Sequence, residues 1–321
     1  MTQIMTPNAA GISRAVAMLN AGNIAAIPTE TVYGLAADAG NGLAVAKIYA
    51  AKGRPGFNPL ICHVSSLEMA QTLGVFDPVS ERLAQLFWPG PLTLVLPAAE
   101  GARVSPLVTA GLSTIALRMP RGIASEIITL LGRPIAAPSA NSSGRISATS
   151  ASAVADDLGD AVPLILDGGQ CPVGLESTII KVEHGRVWLL RPGGLAAEDI
   201  EAALGVTLLR IDQRAAIQAP GMLQSHYAPK ALLRTNAAEV LPGEALLAFG
   251  PDVILGEELA VMALNLSVTG NLHEAAANLF AHLLDLDQSG ASAIAVAPIP
   301  GEGLGEAIND RLLRAAAPRG Q

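Results

Sequence analysis

The sequence predicts an α/β protein, with a large and partly antiparallel sheet in its first two thirds and a small parallel α/β unit after it. Three observations carry this expectation. Strand-like apolar runs outnumber helical periods up to residue 205, a polar and Pro-containing stretch at 212–229 breaks the pattern, and short apolar runs then alternate with helical spacings. The chain has 321 residues, half of them hydrophobic, which is long enough for two domains and a sizeable core. The expected division is 1–205, a linker at 206–230, and 231–321.

Taken in order, 11–21 has helical spacing and 24–28 is a short buried strand that runs into the polar turn Thr29-Glu30-Thr31-Val32-Tyr33-Gly34. Residues 42–52 are again helical. Strands are expected at 60–64, 92–96, 114–118, 135–137, 164–166, 178–182 and 187–190, with helices at 66–74, 78–87, 122–131 and 196–204. That mixture does not alternate regularly, so the sheet should be mixed. The last unit offers strands at 244–249, 260–266 and 292–297 and helices at 272–286 and 304–316.

Composition narrows the function. The formal net charge is −8; residues 1–205 hold 13 Lys and Arg against 16 Asp and Glu, and residues 206–321 hold 7 against 12. Neither part is basic, which argues against tight binding to a nucleic-acid backbone as the main task. Cys62 and Cys171 are the two cysteines and form no CxxC, so neither a disulfide framework nor a cysteine zinc site is expected. No apolar run is long enough to span a bilayer, and Met1–Pro7 lacks a basic region ahead of an apolar one, so a cytoplasmic protein is expected. P-loop, H-E-x-x-H and G-x-S-x-G motifs are absent. Gly301-Glu302-Gly303-Leu304-Gly305 departs from the dinucleotide spacing and reads as a tight turn into a helix.

The densest chemistry lies in Lys52-Gly53-Arg54-Pro55-Gly56-Phe57-Asn58-Pro59-Leu60-Ile61-Cys62-His63, where two cations, an amide and an imidazole share one turn. Alternating Lys and Arg on extended backbone put both heads on one face, where they can grip a polyphosphate or carboxylate. A basic surface turn would carry the same residues. Polar residues also follow the strands at 24–28, 114–118 and 135–137, and sites in α/β folds gather at strand ends.

These segments resemble a known family. Thr29-Glu30-Thr31-Val32-Tyr33-Gly34-Leu35, Lys52-x-Arg54-Pro55, Asn58-Pro59-Leu60, Trp88-Pro89-Gly90-Pro91-Leu92-Thr93, Arg118-Met119-Pro120, Pro138-Ser139-Ala140-Asn141-x-Ser143-Gly144, Glu176-Ser177-Thr178 and Leu190-Arg191-Pro192-Gly193 look like the YrdC-like family of threonylcarbamoyl-AMP synthases. Pro220-Gly221-Met222 with Ser225-His226-Tyr227-Ala228-Pro229 resembles the linker of its longer, two-domain members. The resemblance implies a YrdC-like domain with a large, mixed, twisted sheet and a central cavity, followed by a small Rossmann-like domain. It also implies condensation of L-threonine, bicarbonate or CO2, and ATP to L-threonylcarbamoyladenylate and pyrophosphate. The product would pass to a separate tRNA threonylcarbamoyltransferase complex that modifies adenosine beside the anticodon.

Carried over residue by residue, the resemblance assigns Lys52 and Arg54 to the ATP phosphates, Asn58 and Arg191 to the nucleotide, and Ser139 and Asn141 to a phosphate or carbamate pocket. Lys52, Arg54, Ser139 and Asn141 form the catalytic set. Arg118 would pair with the threonine carboxylate, Thr31, His63 and Ser177 would complete the amino-acid pocket, and Thr114, Thr149 and Tyr227 would touch ATP. Mg2+ is implied as the companion of ATP, with no acidic cluster dedicated to it. Each residue has a plainer alternative: His63 as a core histidine, Arg118 as a strand-end charge, Tyr227 as a packed linker ring. At the level of function the alternatives are a double-stranded RNA-binding module using the same cavity, with weak RNA binding, and a carbamoyltransferase. The second would need cysteine-rich zinc modules that this sequence lacks.

Overall fold

The structure, a computed structural model, describes residues 1–210 and 226–318. Its strands are β1 (Gln3–Met5), β2 (Ala25–Ile27), β3 (Gly34–Asp38), β4 (Ile61–His63), β5 (Leu92–Pro97), β6 (Thr114–Arg118), β7 (Ile135–Ala136), β8 (Leu164–Leu166), β9 (Thr178–Glu183), β10 (Arg186–Arg191), β11 (Leu209–Arg210), β12 (Leu232–Arg234), β13 (Glu244–Ala248), β14 (Ala263–Asn265) and β15 (Ala293–Val296). The helices are α1 (Ala9–Asn20), α2 (Gly42–Lys52), α3 (Leu67–Gln71), α4 (Pro78–Phe87), α5 (Pro106–Thr109), α6 (Ile123–Leu131), α7 (Ala151–Leu158), α8 (Ala197–Leu204), α9 (Leu272–Gln288) and α10 (Leu304–Ala316).

Eleven strands form one mixed sheet in the order β1-β8-β2-β3-β7-β4-β6-β5-β9-β10-β11. Parallel pairs (β4 with β6, β5 with β9) sit beside antiparallel ones (β5 with β6, β9 with β10), as the irregular alternation of the sequence predicts. The sheet runs past residue 205, because β11 pairs with β10. Most of the expected linker, 211–225 with Pro220-Gly221-Met222 and Ser225, lies outside the described residues. The C-terminal unit is a four-stranded parallel sheet, β12-β15-β13-β14. Its last strand sits between its first and second, whereas the dinucleotide-binding order 3-2-1-4 keeps the fourth strand outside the first.

Three elements that position the site depart from the expected pattern. Gly34-Leu35-Ala36-Ala37-Asp38, of which the sequence assigns only Gly34, as the end of a turn, is β3: its residues are mostly small and poor β-formers, yet it is fully buried and paired on both sides, to β2 and β7. Helix α7 and strand β12 were likewise not expected; the Ser150 hydroxyl caps α7 by accepting from Ala153 N–H. Helix α2 begins on the Asn41 side chain, which accepts from Leu43 and Ala44 N–H, and it ends where Gly53 adopts φ 58°. A residue with a Cβ resists that left-handed conformation, and it turns the chain so that buried Lys52 and the following Arg54 point toward one place.

The main core packs α2, α4 and α7 against the large sheet. A second apolar cluster crosses from the large sheet's loops to the C-terminal unit, joining Val32, Ile146 and Leu175 to Tyr227 and to Leu279, Phe280 and Leu283 of α9. At this seam Gly174, at φ +74°, lies against the α9 backbone. Among the described residues no helix is long and apolar enough to cross a membrane.

Candidate functional site

The strand order brings the sequence motifs together. Neighbouring parallel strands β4 and β6 put His63 directly opposite Arg118 in register, both at their C-terminal ends. Beside them β5 and β9 pair in parallel with Leu92 opposite Thr178, so Ser177 enters from the start of β9 and Arg191 from the end of β10. Gly34, the first residue of β3, bridges to Ser139. Thr31, Arg54, His63, Arg118, Ser139, Ser177, Arg191 and Tyr227 therefore line one pocket, together with Val32, Glu176 and His226. The cavity left among them is about 40 Å³.

The remaining sequence candidates lie around it or away from it. Lys52 reaches in from α2, its ammonium donating to Ser139 O (2.5 Å) and, in a short bond, to Asn141 O. The Arg54 guanidinium donates to Asn58 O (3.2 Å) and Pro59 O (2.8 Å), holding Asn58 in the same turn. Asn141 donates from its amide to Ser142 O and Arg145 O, so its nitrogen braces the loop. Thr114 stands at the other end of β6 from Arg118 and is not among the lining residues. Thr149 is buried, accepts from Gln170 Nε2 (2.8 Å), and borders a neighbouring cleft with Arg145 and Lys230.

Several buried groups have no hydrogen-bond partner among the described residues: both ends of the Asn58 amide, both His63 ring nitrogens, Asn141 Oδ1 and the Tyr227 hydroxyl. Each such group costs about 1–3 kcal/mol if it stays unpaired, so their gathering around one pocket marks a place prepared for a polar ligand. Asn58→Leu should therefore leave the melting temperature unchanged or raised, because the orphaned amide is removed. Thermal melts check this; a large loss of stability would mean that Asn58 is structural.

Electrostatics follow from burial. Burial, with Arg54 beside it, holds the Lys52 ammonium well below its ordinary pKa. Burial lowers Arg54 to about 10 and holds His63, which also faces Arg118, well below the usual imidazole range. Burial alone would raise Glu176, but Arg311, Arg191 and hydrogen bonds from Ser147 and Arg311 prevail and bring it to about 2. Arg118 is already held: its guanidinium pairs with Glu30 Oε1 (2.7 Å) and donates to Thr31 Oγ1 (2.8 Å) and Gly90 O (3.2 Å), leaving further N–H donors on its fork for a carboxylate.

His226 gives a pH prediction. Burial lowers it to about 3, against about 6.5 in an unfolded chain. The unfolded state then binds the proton first, so stability is complete above about pH 6.5 and declines as pH falls toward 3. Glu176 acts in a lower window: its stabilisation is present above about pH 4.5 and is lost toward pH 2. Melting temperature should fall between pH 6.5 and 4.5, and His226→Asn should flatten that fall; identical slopes in both proteins would refute the assignment.

Glu30, Glu176, His226 and Arg311 were not singled out as site residues from the sequence. The first three belong to quoted motifs, which is the signal that could have found them; Arg311 sits in a helical charge pattern that resembles a solvated face. A larger groove, about 1260 Å³, is bordered by Asp38, Asn41, Met69, Arg103 and Arg133. It is mostly apolar, and its buried carboxylate, Asp38, is satisfied by Arg133 Nε (2.6 Å) and Gly40 N–H (2.9 Å), so it is not taken as the site.

No three His, Cys, Asp or Glu side chains gather for a metal ion among the described residues. The donor set of the pocket is cationic; its lining carboxylate, Glu176, is paired with Arg311, and the neighbouring Glu30 with Arg118. It does not fit a protein-held Mg2+.

Fold and site together define an α/β protein with an enclosed, cation-lined pocket suited to joining small anions. The chain belongs to the Sua5/YciO/YrdC family: that family model, described as "Telomere recombination", matches residues 17–193, and a model described as "Threonylcarbamoyl-AMP synthase, C-terminal domain" matches 195–317. A Bacillus subtilis protein named threonylcarbamoyl-AMP synthase is 39% identical, covering 99% of this chain and 96% of its own length. A Pyrococcus abyssi protein of the same name is 39% identical over 95% of this chain and 94% of its own. The crystal structure of P. abyssi Sua5 complexed with L-threonine superposes with a TM-score of 0.88 at 37% identity, covering 98% of each chain.

Proposed function

We infer that this chain condenses L-threonine, bicarbonate or CO2, and ATP to L-threonylcarbamoyladenylate with release of pyrophosphate, as a nucleotidyltransferase of tRNA modification. The observation that carries this is the pocket of arginines, serine and neutral histidine in a chain matched end to end by relatives bearing the synthase name. In the reaction the threonine amine adds to CO2, forming an N–C bond and losing a proton. A carbamate oxygen then attacks the α-phosphorus, and the bond to the bridging oxygen breaks as pyrophosphate leaves.

An anion must approach a polyanion, so positioning and charge neutralisation dominate. Lys52 and Arg54 would hold the ATP phosphates, Asn58 and Arg191 the nucleotide, and Ser139 and Asn141 the phosphate or carbamate. Arg118 would take the threonine carboxylate, with Thr31, Ser177 and His63 around the rest of the amino acid; a neutral His63 offers an acceptor nitrogen to the amine or hydroxyl. Tyr227, with Thr114 and Thr149, would contact ATP. No step is routed through a metal; Mg2+ would arrive with the ATP phosphates. The cavity has room for about one water, far less than a nucleotide needs, so the lining of the pocket must open to admit ATP. The proposed location is the cytoplasm, and the proposed consumer of the product is a separate tRNA threonylcarbamoyltransferase complex.

The RNA-binding alternative is not favoured: Lys52 and Arg191 are each 3% exposed, out of reach of a duplex backbone. Incubation with ATP, L-threonine and carbon-labelled bicarbonate tests the proposal. One product carrying the label, threonine and AMP is expected; label without adenylate, or AMP without label, would contradict it.

A further inference from the structure

Arg311 of α10 lies in the C-terminal unit and is fully buried beside the pocket. Its Nε donates to Glu176 Oε2 (2.8 Å), Nη1 to Asp310 Oδ2 (2.6 Å) and Nη2 to Pro192 O (3.0 Å), and its guanidinium carbon stands 5.0 Å above the Tyr227 ring. The other Glu176 oxygen accepts from Ser147 Oγ (2.5 Å). Glu176 lines the pocket and lies within electrostatic reach of Lys52 and Arg191. A carboxylate there is a rival to the substrate, because left unpaired it would repel phosphates and compete for the same cations.

Resting on the reading that the pocket binds ATP, we propose that Arg311 is a positioning residue that sequesters the Glu176 carboxylate from Lys52, Arg54 and Arg191, so that the C-terminal unit keeps the phosphate site electropositive without itself touching phosphate. The geometry serves this in two further ways. The bond to Pro192 O fixes the residue after Arg191, and the guanidinium over Tyr227, a ring also in contact with His226 (4.1 Å) and Phe280 of α9 (5.6 Å), helps set the ring that faces the pocket.

The test compares KM for ATP and for L-threonine in the wild type, Arg311→Met, Arg311→Lys, Glu176→Gln and the Arg311→Met/Glu176→Gln pair, with melting temperatures for each. Arg311→Met should raise KM for ATP about tenfold and KM for threonine less than about threefold, and Arg311→Lys should recover most of that loss. Adding Glu176→Gln to Arg311→Met should return KM for ATP to within about threefold of wild type, because the competing charge is gone. A pair as impaired as Arg311→Met alone would reduce Arg311 to a packing residue and overturn the proposal. If Arg311→Met does not fold, Glu176→Gln alone decides: KM for ATP should be unchanged or lower, and a tenfold rise would mean that Glu176 serves the substrate directly. A wild type that releases no pyrophosphate would fail the functional reading instead, which separates the two.

Discussion

Pyrophosphate release should fall at least about 10³-fold when Lys52 and Arg54 are both replaced by alanine, since removing a single preorganised charge donor from such a site typically costs about 10²–10³. The folded state should survive. Lys52 is a buried ammonium disfavoured by burial and by Arg54, and its acceptors are two backbone carbonyls, so its loss relieves a cost as well as removing bonds. Arg54 contributes more to shape, because its two bonds hold the turn carrying Asn58. Lys52→Ala alone should therefore change turnover more than melting temperature. Circular dichroism and a pyrophosphate assay on the same preparations separate the two effects; retained turnover in the double variant would remove the phosphate assignment.

Gly174→Ala should destabilise the chain by about 3–5 kcal/mol and raise KM for ATP. A Cβ at this position would meet Ala276 O at 2.3 Å and Ala277 Cα at 2.5 Å, and φ is +74°. These are backbone atoms of α9, so the helix must move as a body. The same helix carries Phe280 beneath Tyr227, so the displacement reaches the pocket through that ring. Gly169→Ala is the control: φ is +78° but nothing lies within 4 Å of the added atom, and about 1 kcal/mol of backbone strain is expected. Urea titrations of both variants check the difference, and equal losses would mean that the seam between the sheets tolerates displacement.

Part of the site was legible because it is local. Lys52, Arg54 and Asn58 share one turn, and Thr31, Arg118 and Ser139 lie in the polar stretches that follow apolar runs, whereas Ser177 and Arg191 were named only through the motifs that carry the family resemblance. What was not legible is long-range. The contact of Arg311 with Glu176 spans 135 residues, and nothing in Asp310-Arg311-Leu312-Leu313-Arg314 distinguishes a buried guanidinium from a solvated one. The seam at Gly174 is invisible for the same reason: a single glycine in a loop reads as a turn until a second helix is packed against it. Strand β3 was missed because its small residues carry no alternation; pairing on both sides decides its conformation. The inserted position of β15 is likewise a property of the assembled sheet and not of any one strand.

Pyrophosphate release from ATP by the purified chain, measured with L-threonine and bicarbonate both present, each alone and neither, tests the central claim most directly. Release that requires both co-substrates is the predicted result. Release independent of either, or none under any combination, would contradict it.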